Sequence, residues 1–278
     1  MRTRLCNSKT KQRSLVEVLE SSALDYAFPV EMLAVELNQR NRAMEELKHI
    51  VAPDIAAAVD LQTIVKVGQI GKELLGIVTE ESIDLVVMGT HGRRHLGRWF
   101  LGSVTEQMLR KVPVPVLTVS RSGTGDHGLK SDMLSLKRIL FAADVPESSP
   151  GMSFAFELAQ RTGAELTIVH AVEYLNLMYA AVAYVDDERK QRIEEMRARF
   201  AEFVSNEKPA GMHVETIILD GKPYHEILNV AEDRRIDLIV LNMHGKGILE
   251  RTFLGSSAER VVRLPPIPVL SLPVAPAE

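Results

Sequence analysis

The chain resembles itself at one fixed offset, and no other feature limits its fold as strongly. Ile83-Asp84-Leu85-Val86-Val87-Met88 returns 153 positions later as Ile236-Asp237-Leu238-Ile239-Val240-Leu241. The same shift carries Gly68 to Gly221, Gly92 to Gly245, Gly102 to Gly255, Pro113 to Pro266 and Pro115 to Pro268. Residues 91–106 and 244–259 agree at nine of sixteen positions without a gap. Solenoid repeats are ~20–45 residues long, so a period of this size is a whole domain present twice. The length of 278 residues suits two domains of ~100–200 residues each.

The second copy reads as a full set of alternating strands and helices. Residues 138–145 (RILFAADV) form a short apolar run that suits a buried strand, and 152–162 follow with helical spacing. Strands are then expected at 165–172, 213–219, 237–242 and 267–272, with helices at 187–204, 223–234 and 256–264. Strands alternating with helices imply a parallel sheet covered on both faces, hence a three-layer αβα sandwich.

The first copy starts late. Its Leu15–Glu20 (LVEVLE) corresponds to 168–173 (IVHAVE), and no residue exists to match Asp144. The first strand is therefore expected to be missing, and residues 1–14 (MRTRLCNSKTKQRS), which show no apolar face, to be a frayed basic arm. A truncated gene or a misplaced start accounts for the loss as well as a deliberate one does. The gap between the two neighbours of that strand must be filled, a strand donated from another molecule being one way, or the first domain is the less stable. The expected partition is arm 1–14, incomplete domain 15–120, Gly/Ser-rich linker 121–136 and complete domain 137–273.

The chemistry concentrates where the fourth strand of each copy ends. Gly89-Thr90-His91-Gly92 is followed by nine residues and then Gly102-Ser103. Glycines after a parallel strand let the backbone turn tightly and approach a bulky anion. Ser103 and Glu106 have capping-box spacing, which marks a helix start. Free N–H groups and partial positive charge at that start suit phosphate. The second copy reads Asn242-Met243-His244-Gly245, nine residues, then Gly255-Ser256-Ser257, with Glu259 completing the box. Asn tolerates a left-handed turn, but its side chain is expected to crowd the phosphate. A tight connection with no ligand is the plainer reading of both loops, and a helix cap that of Asp144.

The spacing G-x2-G-x9-G-S/T after the fourth strand resembles the ATP-binding signature of universal stress proteins, and the likeness covers nearly all of residues 15–273. The Val-Pro-Val-Pro-Val run at 112–116 resembles the family's last strand. The resemblance implies a fold of the adenine nucleotide α-hydrolase-like (HUP) type with strand order 3-2-1-4-5. It implies a base and ribose site at Ala142, Ala143 and Asp144, and adenine contact with the backbone at Ala171. The phosphate loop would be Asn242, Gly245, Gly255, Ser256 and Ser257. In the first copy Gly89, Gly92, Gly102, Ser103 and Val104 match the phosphate loop, without the aspartate. The expectation is one ATP, with magnesium as its companion ion, in the second domain. The alternatives are a phosphate contact in the first domain or no site. The function implied is nucleotide sensing in a stress response, with a protein interaction module as the other reading. Hydrolysis is at most slow, because no clear general base stands beside the loop.

Proline in the last strands favours an edge position. The resemblance implies pairing of such strands, here Val112–Val119 against Pro266–Leu272 as an intramolecular pseudo-dimer, or else a homodimer. His91 and His244 recur without a partner carboxylate, and no zinc-type spacing accompanies His225. A net charge of −4 gives no nucleic-acid footprint. No apolar run reaches the ~20 residues of a membrane helix, and the single cysteine, Cys6, points to a reducing, cytoplasmic setting.

Overall fold

The computed structural model describes residues 2–7, 12–20, 29–51, 59–90, 101–120, 136–143, 150–172, 184–243, 256–264 and 267–273. The chain divides into two compact units, Met1–Val119 and Ser120–Glu278.

Unit 1 contains β1 (Arg2–Asn7), β2 (Gln12–Glu20), α1 (Pro29–Lys48), β3 (Asp60–Gly68), α2 (Ile70–Glu80), β4 (Leu85–Gly89), α3 (Ser103–Lys111) and β5 (Val116–Val119). Its strand order is β3-β2-β1-β4-β5. β2 runs parallel to β3, and β4 parallel to β5. β1 lies between β2 and β4 and is antiparallel to both.

The expectation for residues 1–14 is thus corrected: they include strand β1 and the start of β2, and the slot of the first strand is filled. A sheet with its central strand absent exposes two rows of unpaired N–H and C=O groups, and satisfying those outweighs the weak strand character of RTRLCN. The reversed direction follows from chain length. Only residues 8–11 separate Asn7 from Gln12. Parallel neighbours need a crossover of a dozen or more residues, whereas antiparallel ones need only a short turn. In the resulting register Arg2 stands opposite Glu17, which is 4% exposed.

Unit 2 contains β6 (Arg138–Ala142), α4 (Pro150–Thr162), β7 (Glu165–Val172), α5 (Tyr184–Glu207), β8 (Val214–Asp220), α6 (Pro223–Asp233), β9 (Leu238–Asn242), α7 (Ser256–Arg263) and β10 (Val269–Leu272). The order is β10-β9-β6-β7-β8, every neighbour parallel. This is the 3-2-1-4-5 order that the family resemblance implies. Ile139, Leu140 and Phe141 of β6 and Ile239 and Val240 of β9 are buried, as strands covered on both faces require. The Asp237 carboxylate accepts from the backbone N–H groups of Lys137 (2.9 Å) and Arg138 (2.8 Å), pinning the start of β6.

The sequence repeat is also a repeat of geometry. Leu74, Ile77 and Val78 form the buried stripe of α2, and Ile227, Val230 and Ala231 form that of α6. Both helices end the same way. Ser82 and Arg235 are left-handed, with φ of 48° and 51°. The next amides reach back five residues, Ile83 N to Val78 O (3.0 Å) and Ile236 N to Ala231 O (2.9 Å). These are Schellman caps. In unit 1 a cluster of Leu15, Ala43, Leu47 and Val65 seats α1 on β2 and β3.

Candidate functional site

Ligands of open parallel sheets sit at the carboxyl ends of the strands, and most of the residues singled out in the sequence stand there. In unit 2, Ala142 closes β6 and Ala143 follows it, both buried. The Ala143 amide donates to Val169 O (2.8 Å), and its carbonyl accepts from His170 Nδ1 (2.8 Å). A carbonyl only accepts, so Nδ1 carries a proton. His170 is buried in β7, its ring tilted 50° to Phe200 of α5 at a centroid distance of 6.1 Å. Ala171 is the next residue, half-buried and in register with Leu219. Ser256 and Ser257 open α7. Asp144, Gly245 and Gly255 lie outside the described residues.

Asn242 ends β9, and its side chain is turned onto Gly151 in the first turn of α4. A Cβ at position 151 would lie 2.1 Å from Asn242 Oδ1, 2.8 Å from Cγ and 2.9 Å from Nδ2. The Asn242 amide is thus laid against a neighbouring helix that has a glycine to receive it.

In unit 1, Gly89 ends β4 and its carbonyl accepts from Thr105 Oγ1 (3.0 Å). Gly102 donates to Thr90 O (3.0 Å) and is the residue that caps α3, with φ −62° and ψ 136°. Ser103 is exposed as the first helical residue and Val104 is half-buried; Gly92 lies outside the described residues. The capping box expected from Ser103 and Glu106 does not form. Gly102 has no side chain to cap with, and Glu106 Oε1 instead receives Arg110 Nη2 at 2.6 Å. In α7 Glu259 is likewise 3.7 Å from Arg263. Both carboxylates lean forward along their helices, and Gly102 caps α3 without a side-chain hydrogen bond.

The two units differ most in the central strand. β6 ends at the carboxyl edge, whereas β1 begins there, since its register runs from Cys6 opposite Leu85 to Arg4 opposite Val87. Two residues of this site were not legible in the sequence. His170 was signalled only as a polar interruption of an apolar strand, and Gly151 only as a glycine beside Pro150. Among the described residues no group of three or more His, Cys, Asp or Glu is arranged to hold a metal ion, and no helix is long and apolar enough to cross a membrane.

Two doubly wound α/β units, each with a strand, a glycine-bearing loop and a helix start at its carboxyl edge, define the class. The chain belongs to the universal stress protein family, whose model matches residues 11–120 and 135–273. A universal stress protein of Mycobacterium tuberculosis (strain ATCC 25618 / H37Rv) is 27% identical over 190 residues, covering 67% of this chain and 61% of that protein. The chain thus spans about three-fifths of that relative's length. A universal stress protein of Mycolicibacterium smegmatis is 24% identical over 250 residues, 88% of this chain and 81% of the relative. The crystal structure of a universal stress protein from Archaeoglobus fulgidus shares the fold, with a TM-score of 0.63 at 23% identity, covering 95% of this chain and 88% of that one.

Proposed function

We propose that this chain is a stress-response regulator that senses adenine nucleotide and holds one ATP in unit 2. Strand polarity carries the reading. β6 is parallel to β7 and β9, so the chain leaves it at the carboxyl edge with Ala142, Ala143 and then Asp144. β9 reaches the same edge and leads through the glycine loop to α7. In unit 1 the strand in the same slot is reversed, and no aspartate follows it there.

Each part of the unit 2 edge has a physical task. The Asp144 carboxylate accepts from ribose hydroxyls, and Ala142 and Ala143 leave room beside them. The backbone at Ala171 meets the adenine edge. His170 holds the Ala143 carbonyl, which fixes the strand end that precedes Asp144. The N–H groups at the start of α7, with Ser256, Ser257 and the glycines 245 and 255, suit phosphate. ATP with magnesium, when bound, supplies a polyphosphate anion, and the reading asks for binding rather than turnover. The single cysteine fits action in the cytoplasm. A ligand-free interaction module is the second reading, favoured by Asn242 standing where the first copy has Gly89.

Chromatography of heat-released nucleotide, followed by calorimetry with ATP, tests the proposal. The expected result is about one adenine nucleotide per chain at most, and ATP affinity at least about tenfold weaker, ~1.4 kcal/mol, in Asp144→Ala. An empty protein that ignores millimolar ATP overturns the reading and leaves the interaction module.

A further inference from the structure

We propose that Gly151 is a positioning residue for the ligand edge of unit 2. It forms a socket that holds the Asn242 amide against α4 and away from the path of the phosphates; this rests on the nucleotide reading above. Asn242 occupies the position of Gly89 in the repeat, where the first copy has no side chain at all. In unit 2 the extra atoms are accommodated by removing others. Gly151 is buried, and the space its Cβ would take is filled by the amide, at 2.1 to 2.9 Å. All three of those distances are shorter than atoms tolerate, so any side chain at 151 must expel the amide.

The expelled amide has few places to go. Asn has only two side-chain torsions, so it cannot fold away as a lysine would. β9 is flanked by β6 on one side and β10 on the other. Asn242 is the last residue of β9, so an amide displaced from α4 stays at the carboxyl edge of the sheet. That is where the nucleotide reading places phosphate. The ligand class follows: the socket matters for an adenine nucleotide carrying a polyphosphate, and not for a bare nucleoside.

A double-mutant cycle of Gly151→Ala and Asn242→Gly, read by melting temperature and by titration with ATP and with adenosine, tests this. Alanine for glycine within a helix ordinarily stabilises, so a fall in melting temperature for Gly151→Ala reports the clash directly. The expected result is that Gly151→Ala lowers the melting temperature and weakens ATP by about tenfold or more. Adenosine is affected less, and adding Asn242→Gly recovers both the melting temperature and the ATP affinity. Two results overturn the proposal. One is a Gly151→Ala protein that binds ATP as tightly as the parent. The other is a double variant as impaired as Gly151→Ala alone. If the parent protein binds no ATP, the nucleotide reading fails and the positioning role with it. Coupled melting temperatures would then still identify the contact as a packing device, so the two failures are distinguishable.

Discussion

The guanidinium carbon of Arg260 stands 4.5 Å from the ring centroid of Tyr224. Shifted back by the repeat, the same two positions are Gln107 and Gly71, and there the Gln107 carboxamide fills the space of the missing Cβ, 2.0 Å from where it would be. One contact between the helices after the third and fourth strands is therefore met in two ways. In unit 2 a cation lies over a ring; in unit 1 an amide lies on bare backbone.

That contact makes the first prediction. Arg260→Ala should lower the stability of unit 2 by ~0.5–1 kcal/mol, the worth of an exposed cation–π pair. Urea denaturation should show an earlier midpoint at unchanged slope. Arg260→Lys should retain part of the effect. A midpoint indifferent to both changes would mean that the stacking contributes nothing.

The reversed strand is open to a chemical test. Cys6 and Leu85 are cross-strand Cα partners in the antiparallel pairing of β1 with β4, and disulfides form at Cα separations of ~4.4–6.8 Å. Leu85→Cys should therefore form a disulfide with Cys6 on mild oxidation, seen as loss of both free thiols in the monomer. Val86→Cys pairs with Leu5 instead and presents its side chain to the opposite face. It should stay reduced. Bonding at 86 and none at 85 would contradict the register.

The helix ends give the third prediction. Ser82 and Arg235 hold φ of 48° and 51° at equivalent Schellman caps, a conformation that costs an L-residue ~1–2 kcal/mol. Ser82→Gly and Arg235→Gly should each stabilise by ~0.5–1 kcal/mol, net of the greater freedom of glycine in the unfolded chain. Thermal unfolding of the single and double variants checks this. The sites belong to different units, so their effects should add. Destabilisation by either would show that the side chains at these positions contribute more than the strain they carry.

Much of this architecture was legible in the sequence, element by element. β8 was expected at 213–219 and runs Val214–Asp220; α6 was expected at 223–234 and runs Pro223–Asp233. Those segments read clearly because local pattern and tertiary place agree: apolar runs sit where the sheet is covered on both faces, and helical stripes sit where a helix lies on it. RTRLCN was misread because its side chains say little, while the vacancy it fills is made of backbone groups contributed by β2 and β4. The capping box of α3 was misread for the opposite reason. Ser103 and Glu106 have the right spacing, but Gly102 precedes them as the cap and Arg110 competes for the carboxylate.

The sequence by itself determined that two homologous α/β domains are present, which of them carries Asp144, and which loops bear the glycines. These are properties of residue identity and spacing, and a repeat with an ungapped offset of 153 states them directly. Only the tertiary structure decided that the central strand of unit 1 runs backwards, that His170 holds the end of β6, and that Gly151 receives Asn242. Each of these joins residues far apart in the chain, or backbone groups that no side chain identifies. Their free energy exists only once the sheet has assembled, so no local stretch of sequence records it.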